Sequence, residues 1–195
     1  MLSIILSVLI TASGSLFYEE SQDDWFYDCI SERAVNDCKY RSAEDIDPEI
    51  ISLLINVEKE YNVPSSLKGM LLAAACTESG YNALAAGDKK FSKSKKKPMA
   101  IGILQLWPIY VKMYKIDRKN PTASAHAWMK HIVSKLKKID KQCGYKTQRR
   151  RWIAAWVTGI RYKKPGGRCK ERPTHLKTLN RWHRHIENYG CGEDC

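Results

Sequence analysis

The spacing of apolar residues along the chain predicts a protein built almost wholly from helices. Asp47-Pro48-Glu49 has the composition of a helix start, with Asp as the N-cap and Pro in the first turn. Apolar residues then recur every three or four positions to about Tyr61. The same spacing predicts helices over 67–79, capped by Ser65 or Ser66, over 108–114, over 122–139 from a Thr122 cap, over 149–160, and over 174–186 from a Thr174 cap, with a short one within 23–41. Because period-two alternation is nearly absent, the pattern predicts an all-α fold.

The predicted helix over 67–79 is apolar on every face, which is typical of a helix buried in the middle of a domain. Glu78 lies at its end, just before the natural stop Gly80, and on a stripe that includes Ala74 and Leu71. An unpaired buried carboxylate is costly, and desolvation favours its protonated form. A carboxylic acid that keeps its proton near neutral pH suits the general acid of a glycosidase. Glu78 is therefore the first catalytic candidate; the alternative is that it pairs with an Arg or Lys, or reaches solvent at the helix end.

The composition shows how large the protein is and that its net charge is positive. The chain has 195 residues, enough for one compact domain with a leader and a tail, and its formal net charge is +12. A balance this basic favours an anionic partner: nucleic acid, an anionic membrane surface or an acidic cell-wall polymer. Lysines are concentrated in a predicted loop over 86–98, where they would increase solubility and attract the protein to an anionic wall.

The N-terminal residues predict export. Residues 1–14 combine a short apolar run, Ile4–Ile10, with small residues at Ala12 and Gly14, as a secretory signal peptide does. The run is too short to span a bilayer as a helix, so no stable membrane span is expected in the mature chain. We therefore expect a secreted or periplasmic protein.

Seven cysteines in an exported chain predict disulfide bonds. Three local groups favour the pairs Cys29–Cys38, Cys143–Cys169 and Cys191–Cys195, although the sequence leaves the connectivity open. The remaining cysteine, Cys76, lies in the apolar helix pattern and is the expected free thiol. The sequence has no CxxC pair and no His–Cys cluster, so neither a metal nor another cofactor is expected.

Three blocks of sequence around Glu78 give a sharper expectation. Residues 78–82, Glu-Ser-Gly-Tyr-Asn, resemble the Glu-Ser-Gly-Phe-Asn block that contains the catalytic Glu of soluble-lytic-transglycosylase-like enzymes. Residues 100–106, Ala-Ile-Gly-Ile-Leu-Gln-Leu, resemble their groove-lining Gly-Leu-Met-Gln-Leu block. Residues 154–159, Ala-Ala-Trp-Val-Thr-Gly, resemble their Ala-Ala-Tyr-Asn-Ala-Gly block. The blocks occur in the family's order across about residues 67–160.

The resemblance implies a lysozyme-like helical domain that cleaves the β-1,4 bond between N-acetylmuramic acid and N-acetylglucosamine in peptidoglycan. Glu78 would first protonate the glycosidic oxygen and then, as a base, activate the muramoyl 6-hydroxyl, which leaves 1,6-anhydro ends. The N-acetyl group of the substrate would replace the second carboxylate of ordinary glycosidases. The expected substrate-binding residues are Ser79, Tyr81, Ile103, Gln105, Trp107 and Trp156. Trp107 and Tyr110 could stack on sugar rings, but aromatic residues at helical spacing are more often part of the core. The expected partner is the glycan strand, and the expected state is a monomer.

Two positions depart from the family, and one pattern favours a relative of it. Trp156 replaces a Tyr that lies close to the catalytic Glu, and Val157 replaces an Asn, so a hydroxyl and an amide are missing. Goose-type lysozymes share the helical domain but hydrolyse, and they carry a Gly-Asp whose carboxylate holds a water. Gly87-Asp88 matches that pattern, and Asp88 would then lie roughly 6.5–9.5 Å from Glu78. The alternative for Asp88 is a simple turn residue.

The predicted organisation is a signal peptide over 1–14, an N-terminal extension over 15–45, the catalytic domain over 46–190 and a Cys-containing tail over 191–195. Two other interpretations stand beside an enzyme. One is a non-catalytic peptidoglycan-binding protein on a decayed lysozyme scaffold, which the Val157 substitution favours. The other is a secreted cationic protein that acts on nucleic acid or membranes by charge; export argues against nucleic acid as the partner.

Overall fold

A computed structural model of the chain describes residues 14–39, 41–89, 97–156 and 175–191, with side chains from Asp24 onwards except that of Gln142. Within these residues the prediction of an all-α fold is confirmed. The elements are α1 (Gly14–Asn36), α2 (Pro48–Lys59), α3 (Met70–Ser79), β1 (Ala86–Gly87), β2 (Ala100–Ile101), α4 (Pro108–Tyr114), α5 (Pro121–Cys143), α6 (Gln148–Trp156) and α7 (Leu176–Tyr189). Two 3-10 helices cover Ala43–Asp45 and Ser65–Leu67, and the two short strands pair antiparallel.

The central helix of the core is α3, as its composition predicts. Every residue from Met70 to Cys76 is buried, and the helix packs against α1, α2 and α7. On the other side of α2 lies α5, which also pairs with α6. Three tryptophans belong to the core: Trp128, Trp152 and Trp182. Because α3 is enclosed along most of its length, its last turn is the part that can bring a side chain to the surface.

Helix starts show where local sequence decides structure and where it does not. The side chain of Asp47 accepts a hydrogen bond from the backbone N–H of Glu49, so the predicted cap of α2 is confirmed. The predicted Thr122 cap of α5 is wrong, because Asn120 caps the helix through the N–H of Ala123 and Pro121 takes the first turn.

The start of α3 is also corrected. Ser65 begins a separate 3-10 helix, and neither Ser65 nor Ser66 caps α3, since the N-cap is Gly69 with a φ of 84°. The free N–H groups of Gly69 and Leu71 donate instead to the carboxylate of Glu58 from α2. A tertiary contact thus satisfies donors that the local sequence leaves open.

Two disulfide bonds join elements that are distant in sequence. Cys29 in α1 bonds Cys191, which follows α7, and Cys38 bonds Cys76 in α3. The predicted pairs Cys29–Cys38 and Cys191–Cys195 are therefore wrong, and Cys76 is not a free thiol. Nearness along the chain does not predict these pairs, because helix packing brings distant cysteines together. Cys143 is also disulfide-bonded, but its predicted partner Cys169 lies outside the described residues.

Two observations concern the predicted export of the protein. The predicted signal peptide lies almost wholly outside the described residues, which begin with α1 at Gly14. Among the helices that the structure describes, none combines the length and the apolar character that a membrane crossing requires.

Candidate active site

Glu78 lies in the last turn of α3, where the buried helix opens to the surface. Gly80 follows in the left-handed conformation, with a φ of 59°, and its N–H closes the helix on Ala75 and Cys76 carbonyls. The side chain of Glu78 is 37% exposed. The expectation that it is buried on an apolar stripe is therefore wrong, because the stripe ends one turn before the helix does. Exposure makes the carboxyl accessible to a bound substrate.

A histidine from the far end of the sequence contacts this carboxyl. Nε2 of His175 lies 2.7 Å from Oε1 of Glu78, a hydrogen-bonding distance. His175 is the residue immediately before α7, and its side chain is only 12% exposed. The other ring nitrogen, Nδ1, is buried and meets no hydrogen-bonding partner among the described residues. No sequence pattern predicts this contact, since 97 residues separate the two side chains.

The ring of His175 stacks on the indole of Trp156. The two rings stack with centroids 5.8 Å apart and planes 25° apart. Trp156 is itself almost fully buried and packs edge-on against Trp128 of α5, with centroids 6.0 Å apart. Trp156 therefore contacts the site through His175, and its indole Nε1 is buried without a partner among the described residues. Val157, the other departure from the family, lies outside those residues.

Tyr110 of α4 lies within electrostatic range of Glu78. Burial, the neighbouring Tyr114 and the negative charge of Glu78 together raise the pKa of Tyr110, so its phenol stays neutral beside the carboxyl. The Tyr110 ring also packs against the His131 ring of α5, with centroids 5.0 Å apart. Of its two predicted roles, sugar stacking and core, the structure places Tyr110 in the core.

The residues after β2 form a tight loop that lies against the end of α3. The hydroxyl of Ser79 donates to the carbonyl oxygen of Ile103 at 2.7 Å and so attaches the loop to the residue beside Glu78. Gly102 has a φ of 83°, and a Cβ there would overlap the carbonyl oxygen of Arg118. The Arg118 guanidinium in turn donates to the Met99 and Leu106 carbonyls on both sides of the loop. The loop is thus held at both its ends and its centre.

Gln105 and Asp88 extend this surface. Gln105 has a φ of 46° and donates from its amide to the Gly102 carbonyl at 2.9 Å, while its Oε1 lies against Gly87. Asp88 follows Gly87 at the end of β1 with a φ of 57°, and its Oδ2 accepts a hydrogen bond from the Trp107 indole at 3.2 Å. Trp107 is 39% exposed at the start of α4.

These contacts link the predicted site residues one to the next. Ser79, the residue after Glu78, donates a hydrogen bond to Ile103 in the loop after β2, and Gln105 of that loop lies against Gly87. Asp88 accepts a hydrogen bond from Trp107, the residue at the start of α4. In that helix, the negative charge of Glu78 contributes to the raised pKa of Tyr110. The structure thus brings Glu78, Ser79, Gln105, Asp88, Trp107 and Trp156 together. It buries the side chains of Ile103 and Tyr81, and burial raises the pKa of Tyr81 well above its usual range.

Two further features concern what the site could hold. Within the described residues no group of three or more His, Cys, Asp or Glu side chains is arranged to bind a metal ion. The Lys-rich segment joins β1 to β2, and the structure describes it up to Lys89 and again from Lys97.

Comparisons of the chain with protein families, with curated proteins and with solved structures find no match. The geometry and the sequence blocks are therefore the basis for a functional assignment.

Proposed function

We propose that this protein cleaves the β-1,4 bond between N-acetylmuramic acid and N-acetylglucosamine in peptidoglycan, with Glu78 as the catalytic acid. The observation that carries the proposal is the convergence of the three sequence blocks on this carboxyl. Ser79 attaches the second block at Ile103, and Trp156 of the third block reaches Glu78 through His175. Three blocks of one family arranged around one accessible carboxyl support a lysozyme-like fold and its chemistry.

The proposed reaction uses Glu78 twice. A protonated Glu78 gives its proton to the glycosidic oxygen as that bond breaks, and the developing oxocarbenium-like centre is stabilised by the substrate's own N-acetyl group. The carboxylate of Glu78 then takes the proton of the muramoyl 6-hydroxyl as that oxygen bonds to the anomeric carbon. The products are a 1,6-anhydromuramoyl end and a new glycan end, and no water is consumed. The protein acts in the periplasm or outside the cell, as a monomer on glycan strands.

Hydrolysis is the second candidate, and the position of Asp88 favours it. Trp107 holds Oδ2 of Asp88, while Oδ1 contacts no donor among the described residues and is able to hold a water. A water held there would attack the anomeric carbon in place of the 6-hydroxyl, with Asp88 as its base. The two reactions differ in their products, since hydrolysis leaves reducing ends.

The test is product analysis of digested sacculi. The disulfide-bonded protein is incubated with purified peptidoglycan, and the released muropeptides are identified by mass spectrometry. We expect anhydro ends from wild type and a loss of at least about 100-fold in rate for Glu78→Gln, with an unchanged melting temperature. Glu44→Gln, on an exposed 3-10 helix, is the matched control and should retain full activity.

Each alternative has its own outcome. Reducing ends would establish the hydrolase, and Asp88→Asn would then abolish release. Binding to sacculi without release by folded wild type would leave a wall-binding protein. Killing of cells that persists in Glu78→Gln would indicate action by charge alone.

A further inference from the structure

His175 touches the proposed catalytic carboxyl, yet nothing in the reaction above assigns it a task. Its Nε2 lies 2.7 Å from Oε1 of Glu78, its ring stacks on Trp156, and its Nδ1 is buried with no partner among the described residues. The stacking fixes the plane of the ring, and the position just before α7 fixes its backbone. The ring is thus held in one orientation by contacts that do not involve substrate.

The buried Nδ1 determines which ring nitrogen carries a proton. An N–H group without an acceptor costs about 1–3 kcal/mol when buried. A proton on Nδ1, in the neutral or the charged ring, would be such an unpaired donor, and folded proteins leave buried N–H donors unpaired more rarely than buried acceptors. The neutral tautomer with its proton on Nε2 avoids a buried unpaired donor and makes Nε2 a donor to Glu78.

We propose that His175 is a positioning residue for Glu78, which donates from Nε2 to Oε1 throughout the reaction and leaves Oε2 as the oxygen that gives and takes the proton. This inference rests on the proposed function. In the acid step Oε1 is the carbonyl oxygen of the carboxylic acid and Oε2 carries the proton. In the base step Oε1 keeps its donor while Oε2 receives the proton of the 6-hydroxyl. The carboxyl does not rotate between the steps, which suits a residue that acts as acid and base in turn.

The neighbours of the pair are consistent with a neutral donor. Among the described residues, His175 before α7 contacts Glu78 and Tyr110 on α4 lies within its electrostatic range, and the pKa of Tyr110 is raised by burial first and by Tyr114 and Glu78 next. Trp156, from α6, adds an uncharged ring. A charged imidazolium would hold Glu78 in its ionised form and oppose the acid step, whereas a neutral N–H donor orients the carboxyl with much less bias.

Two substitutions of His175 test its aromatic ring and its hydrogen-bond donor separately. His175→Phe keeps an aromatic ring on Trp156 but removes the donor, and we expect kcat to fall about 10- to 100-fold with little change in KM. The alkaline limb of the pH–rate profile should move to higher pH, because a lost hydrogen bond to the carboxylate disfavours its ionised form. His175→Gln places an amide N–H near the position of Nε2 and should recover most of kcat. His185→Phe, on α7 beside Tyr189, is the control and should match wild type.

A nitrogen-15 NMR spectrum of the histidine rings tests the tautomer in the free protein, without any activity measurement. At neutral pH the His175 signals should show a protonated Nε2 and an unprotonated Nδ1, and Glu78→Gln should shift the Nε2 signal. A ring protonated at Nδ1 or at both nitrogens overturns the proposal, as does a folded His175→Phe variant with wild-type kcat and pH profile. If wild type releases no muropeptides while the tautomer is as expected, the proposed function fails and the contact between His175 and Glu78 stands.

Discussion

At the scale of single residues, the carboxylate that is buried within the described part of the chain is that of Glu58. Only 1% of its surface is exposed, and it accepts hydrogen bonds from the N–H groups of Gly69 and Leu71 and from the Tyr27 hydroxyl. Burial raises the pKa of Glu58 to about 7, although these bonds and the nearby Lys68 oppose the shift. Glu58 therefore ionises inside the fold across the neutral pH range.

Glu58→Gln tests the consequence for stability. Between the ordinary pKa of 4.5 and about 7, the folded chain binds a proton at Glu58 that the unfolded chain has released, so this group makes stability fall as pH rises. Urea unfolding of wild type and Glu58→Gln at pH 4 and pH 8 should show the difference in unfolding free energy move by about 3 kcal/mol in favour of the variant at pH 8. The exposed Glu60→Gln should show no such movement. A pH-independent difference for Glu58→Gln contradicts the argument.

The contrast between Glu58 and Glu78 explains what the sequence could predict of the site. The blocks point to Glu78, Ser79 and Gln105, because each block is a continuous stretch of sequence whose pattern is visible without the fold. The same helical pattern led to the expectation that Glu78 is buried, since a pattern shows which face is apolar and not where the core ends. Glu58 and His175 gave no local signal, because their partners lie 11 and 97 residues away.

At the scale of elements, the loop after β2 depends on a glycine. Gly102 has a φ of 83°, and a Cβ would overlap the Arg118 carbonyl, whereas Gly144 has a φ of 56° with open space around its Cβ position. Gly102→Ala should lower the unfolding free energy by about 2–4 kcal/mol, from backbone strain and overlap together. Gly144→Ala should lose only the strain, about 1–2 kcal/mol. Equal losses in chemical denaturation would show that the Arg118 contact does not constrain the loop.

Helices were the elements that the sequence predicted best. Their apolar periodicity is a local property, and α2 and α4 begin where the pattern places them. The starts of α3 and α5 were mispredicted for different reasons. The cap of α5 is Asn120, which precedes the predicted cap Thr122 in the sequence. α3 begins where Glu58 of another helix satisfies its N–H groups. The short strands were missed because two residues are too few to show alternation.

At the scale of the whole molecule, two disulfides among the described residues join α1 to the residue after α7 and the residues after α1 to α3. The Cys29–Cys191 bond closes a span of 162 residues, and the Cys38–Cys76 bond closes one of 38. The first bond also attaches the far end of α7, whose near end positions His175 against Glu78. Pairing of this kind could not be predicted from the sequence, because it follows from how α1, α3 and α7 pack.

Removing each bond separately tests this arrangement. In the chain-entropy picture, the Cys29→Ala/Cys191→Ala variant should lose about 5 kcal/mol of unfolding free energy and the Cys38→Ala/Cys76→Ala variant about 4 kcal/mol, since the longer loop restricts the unfolded chain more. Equilibrium urea unfolding without reductant measures both. Muropeptide release at a temperature where both variants are folded separates stability from function. The variant without Cys29–Cys191 should be the slower of the two, because the end of α7 is released. If the Cys38–Cys76 variant is the slower, the attachment of α3 itself, and not that of α7, limits how well Glu78 is positioned.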